Sequence, residues 1–144
     1  MAAANAYRFK SVTWSGSGSA VAIPGVVDCS EDDTSGGTTK HRTDNATTVQ
    51  GIFMDEIGAT IRITTTDLSL RGSSGYTMGK SGALVIIREL RANGVGAQSG
   101  DKTHTYGTAV LTDMTEGVPI NGRGTLQLTF EAFDANGTAV CAFS

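Results

Sequence analysis

The chain has 144 residues, the length of one domain with a single apolar core. Charged residues make up only 17% and the chain contains 19 glycines, a composition that favours strands and turns over helices. A net charge of −3 with Lys and Arg scattered singly argues against tight nucleic-acid binding, and no apolar run approaches the roughly 18 residues that span a bilayer. We therefore expect neither a specific nucleic-acid partner nor a membrane.

The chain begins with a predicted hairpin. Residues 6–14 alternate imperfectly between apolar and polar side chains, and a Ser/Gly run at 15–19 follows as a turn. Residues 20–27 then return as a second strand, in which Pro24 suits an edge or a bulge.

A long polar loop is predicted next, over about residues 28–46. This stretch has no regular period, and unstructured loops of that length in small domains are commonly functional. Its acidic residues precede its basic residues in the sequence. Because the acidic part of one copy can meet the basic part of another, we expect this stretch to contact a neighbouring copy of the chain. The candidate contact residues are Asp28, Glu31, Asp32, Asp33, Lys40, His41 and Arg42.

Two later segments alternate cleanly with a period of two, which is typical of antiparallel strands with one wet face. In residues 57–66 the predicted buried side is Ile57, Ile61 and Ile63, and the wet side is Thr60, Arg62 and Thr64. In residues 125–134 the predicted buried side is Leu126, Leu128 and Phe130, and the wet side is Thr125, Gln127, Thr129 and Glu131. Between these strands Asp67 is a candidate N-cap for one helical turn that ends before Gly72.

Further strands are predicted at residues 47–53, 82–92, 106–114 and 138–143, with a second polar loop at 93–102 and a turn at Asn136-Gly137. Eight strands separated by turns predict an all-β fold. We expect one domain over residues 1–144, a two-sheet antiparallel β-sandwich or barrel with one short helix.

The sequence carries no recognised catalytic or cofactor motif, so neither an enzyme nor a cofactor is expected. His41 and His104 lack ligand partners at metal-site spacing, so both are interpreted as solvent-exposed loop histidines. The acidic run Glu31-Asp32-Asp33 lacks the alternating ligands and placed glycine of a calcium loop. Cys29 and Cys141 are interpreted as small apolar side chains rather than as a disulfide.

The order of these features resembles the tail-tube proteins of long-tailed bacteriophages, whose fold is shared with the tube protein of type VI secretion. The resemblance covers about residues 7–134. The segments that carry it are Tyr7-Arg8-Phe9-Lys10-Ser11-Val12, Ile23-Pro24-Gly25-Val26, the polar stretch 28–45, Ile61-Arg62-Ile63-Thr64-Thr65-Thr66-Asp67-Leu68, Gly79-Lys80-Ser81-Gly82-Ala83-Leu84-Val85-Ile86 and residues 117–132. The resemblance implies a helix, which in this sequence is either reduced to residues 67–71 or lies in a segment interpreted as loop.

This resemblance implies a structural subunit of the virion tail, assembled in the host cytoplasm. Such subunits form rings of about six copies that stack into a tube, through which DNA and the tape-measure protein pass. The implied partners are other copies of the chain, the tape-measure and tail-terminator proteins, and baseplate or tail-tip proteins.

A channel for DNA should not present rings of positive charge, because these would retain phosphate. We therefore expect the Thr125, Gln127, Thr129 and Glu131 stripe to face the lumen, and Arg62 to lie at a protomer interface or on the outer wall.

Two alternatives remain open. One is a virion decoration or minor tail module that binds a capsid or a receptor. The other is a small glycan-binding sandwich, which the 6% aromatic content argues against.

Overall fold

The computed structural model describes residues 5–35, 38–41, 48, 51–54, 57–92, 100–134 and 140–143. Within these residues the fold is all-β, as predicted, with one short 3₁₀ turn at Leu68–Leu70. The strands are β1 (Asn5–Trp14), β2 (Val21–Ala22), β3 (Val26–Ser35), β4 (Thr38–His41), β5 (Gly51–Met54), β6 (Ile57–Thr65), β7 (Ser81–Ala92), β8 (Lys102–Gly117), β9 (Thr125–Ala132) and β10 (Ala142–Phe143).

Eight of these strands form one antiparallel sheet in the order β2-β1-β7-β8-β9-β6-β3, with β10 paired to β8. The remaining pair, β4 and β5, forms a separate small hairpin. The predicted hairpin at the start of the chain is present, since Thr13 and Trp14 of β1 pair with Ala22 and Val21 of β2.

The large sheet is strongly curled. The rings of Trp14 on β1 and Phe130 on β9 lie 4.7 Å apart, although two strands separate β1 from β9 in the sheet. A flat sheet would place strands three positions apart about 14 Å away from each other. The two layers expected from the sequence are thus opposite parts of one continuous sheet, whose concave side encloses the core.

The core follows the predicted alternation. Ile61 and Ile63 of β6 and Leu126, Leu128 and Phe130 of β9 are fully buried, as expected. Further side chains buried on the same concave side are Ala59 of β6 and Ala132 of β9, and from β1, β7 and β8 Val12, Trp14, Leu84, Ile86, Tyr106, Ala109 and Leu111. The side chain of Ile57, which was also predicted to be buried, lies outside the described part of the structure.

The short helical turn is also confirmed. The Asp67 carboxylate accepts a hydrogen bond from the backbone N–H of Ser69 at 3.1 Å, which is the N-cap contact expected from the sequence. Arg71 N–H then closes the turn on the Leu68 carbonyl at 3.3 Å.

The predicted long loop is wrong over its whole described length. Residues 26–35 form strand β3, paired with β6 from Val26 to Ser35, and residues 38–41 form β4. The sequence signal failed because an edge strand has no need of apolar residues on its solvent face, and β3 has acidic and hydroxyl side chains instead. Residues 36–37 and 42–46 of the predicted long loop, residues 93–99 of the predicted loop at 93–102 and the predicted turn at Asn136-Gly137 lie outside the described residues.

Candidate assembly surface

Strand β3 divides its acidic residues between the two sides of the sheet. Asp28 and Asp32 pair in register with Thr64 and Thr60 of β6, on the convex polar side. Glu31 pairs with Ile61, which is fully buried, so Glu31 lies on the concave side; Asp33 shares that side through its pairing with Ala59. The acidic residues predicted to form one contact strip therefore lie on opposite sides of the sheet.

The basic part of that strip is also separated from the acids. Lys40 and His41 lie on β4, in register with Ile52 and Gly51 of β5, in the separate hairpin. Arg42 lies outside the described residues. Among the residues that the structure describes, the acid-to-base strip is thus divided between two sheets.

Glu31 forms a polar cluster with three residues across the concave side. Its Oε1 accepts a hydrogen bond from the Tyr106 hydroxyl at 2.6 Å and lies 2.7 Å from Nδ1 of His104. Its Oε2 accepts a short bond from the Arg88 guanidinium. The Glu31 side chain is only 11% exposed, and its partners lie on β7 and β8, which are not neighbours of β3 in the sheet. We call Glu31, Arg88, His104 and Tyr106 the Glu31 cluster.

The cluster keeps Glu31 ionised. Burial alone would raise the pKa of this carboxyl, but the hydrogen bonds from Tyr106, Arg88 and His104 together outweigh burial and hold its pKa below the ordinary value. Burial, and next the bond to Glu31, raise the pKa of the Tyr106 phenol. Tyr106 therefore stays a neutral donor to the carboxylate.

His104 completes the cluster at the start of β8. Because a carboxylate can only accept, Nδ1 of His104 donates to Glu31, and Nε2 is buried without a hydrogen-bond partner. Phe143 of β10 packs edge-on against the ring at 4.8 Å. The sequence had indicated an exposed loop histidine, and this expectation is wrong: His104 is 8% exposed.

On the convex side, the two wet stripes predicted from the sequence lie next to each other. The hydrogen-bonded register pairs Thr60 with Glu131, Arg62 with Thr129 and Thr64 with Gln127. Because directly paired residues in an antiparallel sheet project to the same side, Arg62 lies among the residues predicted to face the lumen. The expected separation of Arg62 from the stripe formed by Thr125, Gln127, Thr129 and Glu131 is therefore wrong.

The charge of Arg62 is balanced locally. Its guanidinium lies 3.1 Å from a carboxylate oxygen of Asp32 on β3, with side-chain exposures of 47% for Arg62 and 61% for Asp32. Over β3, β6 and β9, the acids Asp28, Asp32 and Glu131 outnumber Arg62 on this side. We call it the convex face; it is polar and net negative.

Two long strands have an open edge among the described residues. β3 ends the order of the sheet and pairs with β6 alone, while β2 covers only Thr13 and Trp14 of β1. The β3 edge carries the acids described above, whereas β1 carries the exposed bases Arg8 and Lys10. Lys10 is bound to Asp101 at 2.8 Å. Open edges offer unpaired backbone groups to another strand.

The turn between β8 and β9 carries an exposed apolar tip. Ile120 is 99% exposed and Val118 is 65% exposed. The base of this hairpin is braced by an ion pair between Arg71 and Glu116 at 2.6 Å. The tip therefore projects from an anchored base.

The described residues contain no group of His, Cys, Asp and Glu side chains able to hold a metal ion. In the same part of the chain, no helix is long and apolar enough to cross a membrane. Cys29 and Cys141 are both free thiols.

Sequence reasoning missed the Glu31 cluster. Arg88 and Tyr106 come from strands predicted for other reasons, whereas Glu31 and His104 were assigned to loops. One available signal was the period-two spacing of His104 and Tyr106, which places both on one side of a strand.

Comparison with known proteins does not assign the chain to a family. The chain matches no protein-family model, and a search of curated proteins found no relative.

Proposed function

We propose that this protein is the structural subunit of a phage tail tube, a ring-forming protein whose stacked rings conduct DNA. The observation that carries the proposal is one continuous curled sheet with an open strand at each side, β1 and β3. The resemblance in the order of sequence features supports the same function.

The direction of the two edge strands suits assembly of identical copies. Five antiparallel pairings separate β1 from β3, so the two edge strands run in opposite directions. β3 of one copy can therefore join β1 of the next as a further antiparallel strand. Such a contact uses two different surfaces of the chain, and repeated contacts of this kind close into a ring when the rotation permits.

Charge favours this pairing over the alternatives. Two acidic β3 edges repel each other. A β1 edge carries Arg8 and Lys10 together with the nearby acids Glu89 and Asp101, so it repels an acidic β3 edge less than a second β3 edge would. Like-charge repulsion thus disfavours symmetric dimers and leaves the head-to-tail contact.

The convex face is our candidate for the lumen wall. Its hydroxyl and amide side chains would make few strong contacts with DNA or protein that passes through the tube, and its net negative charge repels phosphate. Arg62 fits this wall because Asp32 neutralises it. In this proposal Arg62 lies on the lumen wall, and the protomer interface is formed by the edges of β1 and β3.

A Glu131→Lys substitution tests the lumen assignment. Glu131 is exposed, so folding and ring formation should remain unchanged, with the free energy of unfolding within about 0.5 kcal/mol of wild type. Each ring would gain a circle of positive charge that attracts phosphate. We expect phage carrying the variant to eject DNA more slowly, measured by dye uptake after receptor triggering. Unchanged ejection kinetics would contradict the placement of Glu131 in the lumen.

The assembly itself is tested by multi-angle light scattering of the purified protein over a range of concentration and salt. We expect a species with several times the chain mass of 14.8 kDa. A monomer under every condition would contradict the proposal.

The exposed tip at Ile120 favours one second candidate, a virion decoration or minor tail module. An anchored apolar tip is a suitable contact for a capsid or receptor protein. This candidate predicts a discrete particle that binds virions lacking it and does not polymerise.

A further inference from the structure

We propose that Glu31 is an acid-sensitive latch: protonation of its carboxylate releases strand β3 from β7 and β8 while the rest of the sheet stays folded. The inference does not depend on the tail-tube proposal, because it concerns how one chain holds its own edge strand.

On the concave side of the sheet, β3 and its neighbour β6 carry different kinds of side chain. The β6 residues Ala59, Ile61 and Ile63 are at most 2% exposed and lie in the apolar core. Their partners on β3 are Asp33, Glu31 and Cys29. Apolar burial holds β6 at any pH. On β3, Val26 and Cys29 are only partly buried against the core, and the contacts with β7 and β8 include the hydrogen bonds of Glu31.

Several groups face Glu31 from the elements packed against it. Arg88 comes from β7, and His104 and Tyr106 come from β8. Cys141, which precedes β10, lies near both Tyr106 and Glu31. On β3 itself the neighbouring titratable groups are Asp28, Cys29, Asp32 and Asp33.

Protonation of Glu31 would remove the charge that these donors share. Arg88, whose side chain is 26% exposed, would lose its counter-ion, and Tyr106 and His104 would lose a charged acceptor. Acid therefore weakens the latch at several contacts together.

The direction of the pH effect follows from Glu31. Its pKa is lower in the folded chain than in the unfolded chain, so the stability it contributes is complete above the ordinary carboxyl range. That contribution is lost as the pH falls through the lowered pKa. We expect release in acid and a closed strand at neutral pH.

Cys29 offers a reporter, because it lies two residues from Glu31 on the same side of β3 and is half-buried. Burial raises the pKa of its thiol to about 11. In a Cys141→Ser background, Cys29 is the single thiol of the chain. Its rate of labelling by 4,4′-dithiodipyridine is measured from pH 7 to pH 3 and divided by the rate of the urea-unfolded chain at the same pH.

We expect protection of Cys29 to fall by about tenfold or more over this range, while the far-ultraviolet circular dichroism remains that of a β protein. Protection that stays constant to pH 3 would overturn the latch. Loss of the β spectrum together with protection would also overturn it, because the transition would then be global.

Matched variants separate Glu31 from the other acids of β3. Glu31→Gln cannot ionise, so its protection should be reduced at pH 7 and independent of pH. Asp32→Asn, on the convex face of the same strand, should behave like wild type. A wild-type pH profile in Glu31→Gln would overturn the proposal.

A further variant keeps the test valid if Glu31→Gln does not fold. Tyr106→Phe removes one donor and leaves the carboxyl in place, so the pKa of Glu31 should rise and the midpoint of release should move to higher pH. An unchanged midpoint would overturn the proposal.

Discussion

Substituting Trp14 by Ala should lower the free energy of unfolding by about 3–5 kcal/mol, a large part of the stability of a domain this size. Trp14 is 1% exposed and its ring lies against Phe130. Its indole N–H donates to the Gly75 carbonyl at 2.9 Å. The variant would open a cavity where the two sides of the curled sheet meet and leave that carbonyl without its partner.

The residues packed around Trp14 leave little room for a rearrangement that would fill the cavity in the Trp14→Ala variant. A Cβ added at Gly16 would lie 2.3 Å from Nε1 of the indole, so the loop after β1 lies directly on the ring. Gly75, with φ +87°, has a conformation that favours glycine and places its carbonyl toward the indole.

Thermal and urea unfolding followed by far-ultraviolet circular dichroism would measure this effect, because Trp14 is the single tryptophan and fluorescence is lost with it. The loss corresponds to a fall of roughly 10–15 °C in Tm. Val21→Ala is the matched control, since Val21 pairs with Trp14 in the β1–β2 hairpin but is 53% exposed. A loss below about 1 kcal/mol in Trp14→Ala would contradict the central place of this contact.

Replacing Arg8 by Glu should weaken assembly strongly while leaving the monomer folded. Arg8 is exposed on the open part of β1, which the proposal pairs with the acidic β3 edge of the next copy. The substitution sets like charges against each other across that contact. We expect the concentration needed for assembly to rise by about 100-fold, measured by sedimentation velocity.

Lys80→Glu provides the control, because it makes the same change of charge at an exposed position outside both edges. It should assemble like wild type. Adding Asp28→Lys to Arg8→Glu should restore part of the assembly, since the two edges are then complementary again. Equal assembly by Arg8→Glu and Lys80→Glu would exclude the proposed edge contact.

The fold could be predicted from the sequence where alternation was carried by large apolar side chains. The buried side of β6 and β9 can be predicted from Ile61, Ile63, Leu128 and Phe130, and all four side chains are fully buried in the structure. The Asp67 cap was predictable because it depends on a local contact with Ser69.

Strand β3 could not be predicted in the same way. Its concave side presents Glu31 to a polar cluster, and the residues that make this favourable lie 57, 73 and 75 positions away in the sequence. The polar stripes of β6 and β9 were predicted correctly, but their position relative to each other was not. The pairing of Arg62 with Thr129 depends on the order of strands, which local patterns do not encode.

Negative-stain electron microscopy of the purified protein is the measurement that tests the proposed tube most directly. A ring-forming subunit should yield annular particles with a central channel at moderate concentration and stacked tubes at higher concentration, and both should be missing from Arg8→Glu. Separate globular particles of monomer size at every concentration, in wild type and variant alike, would contradict the proposed function.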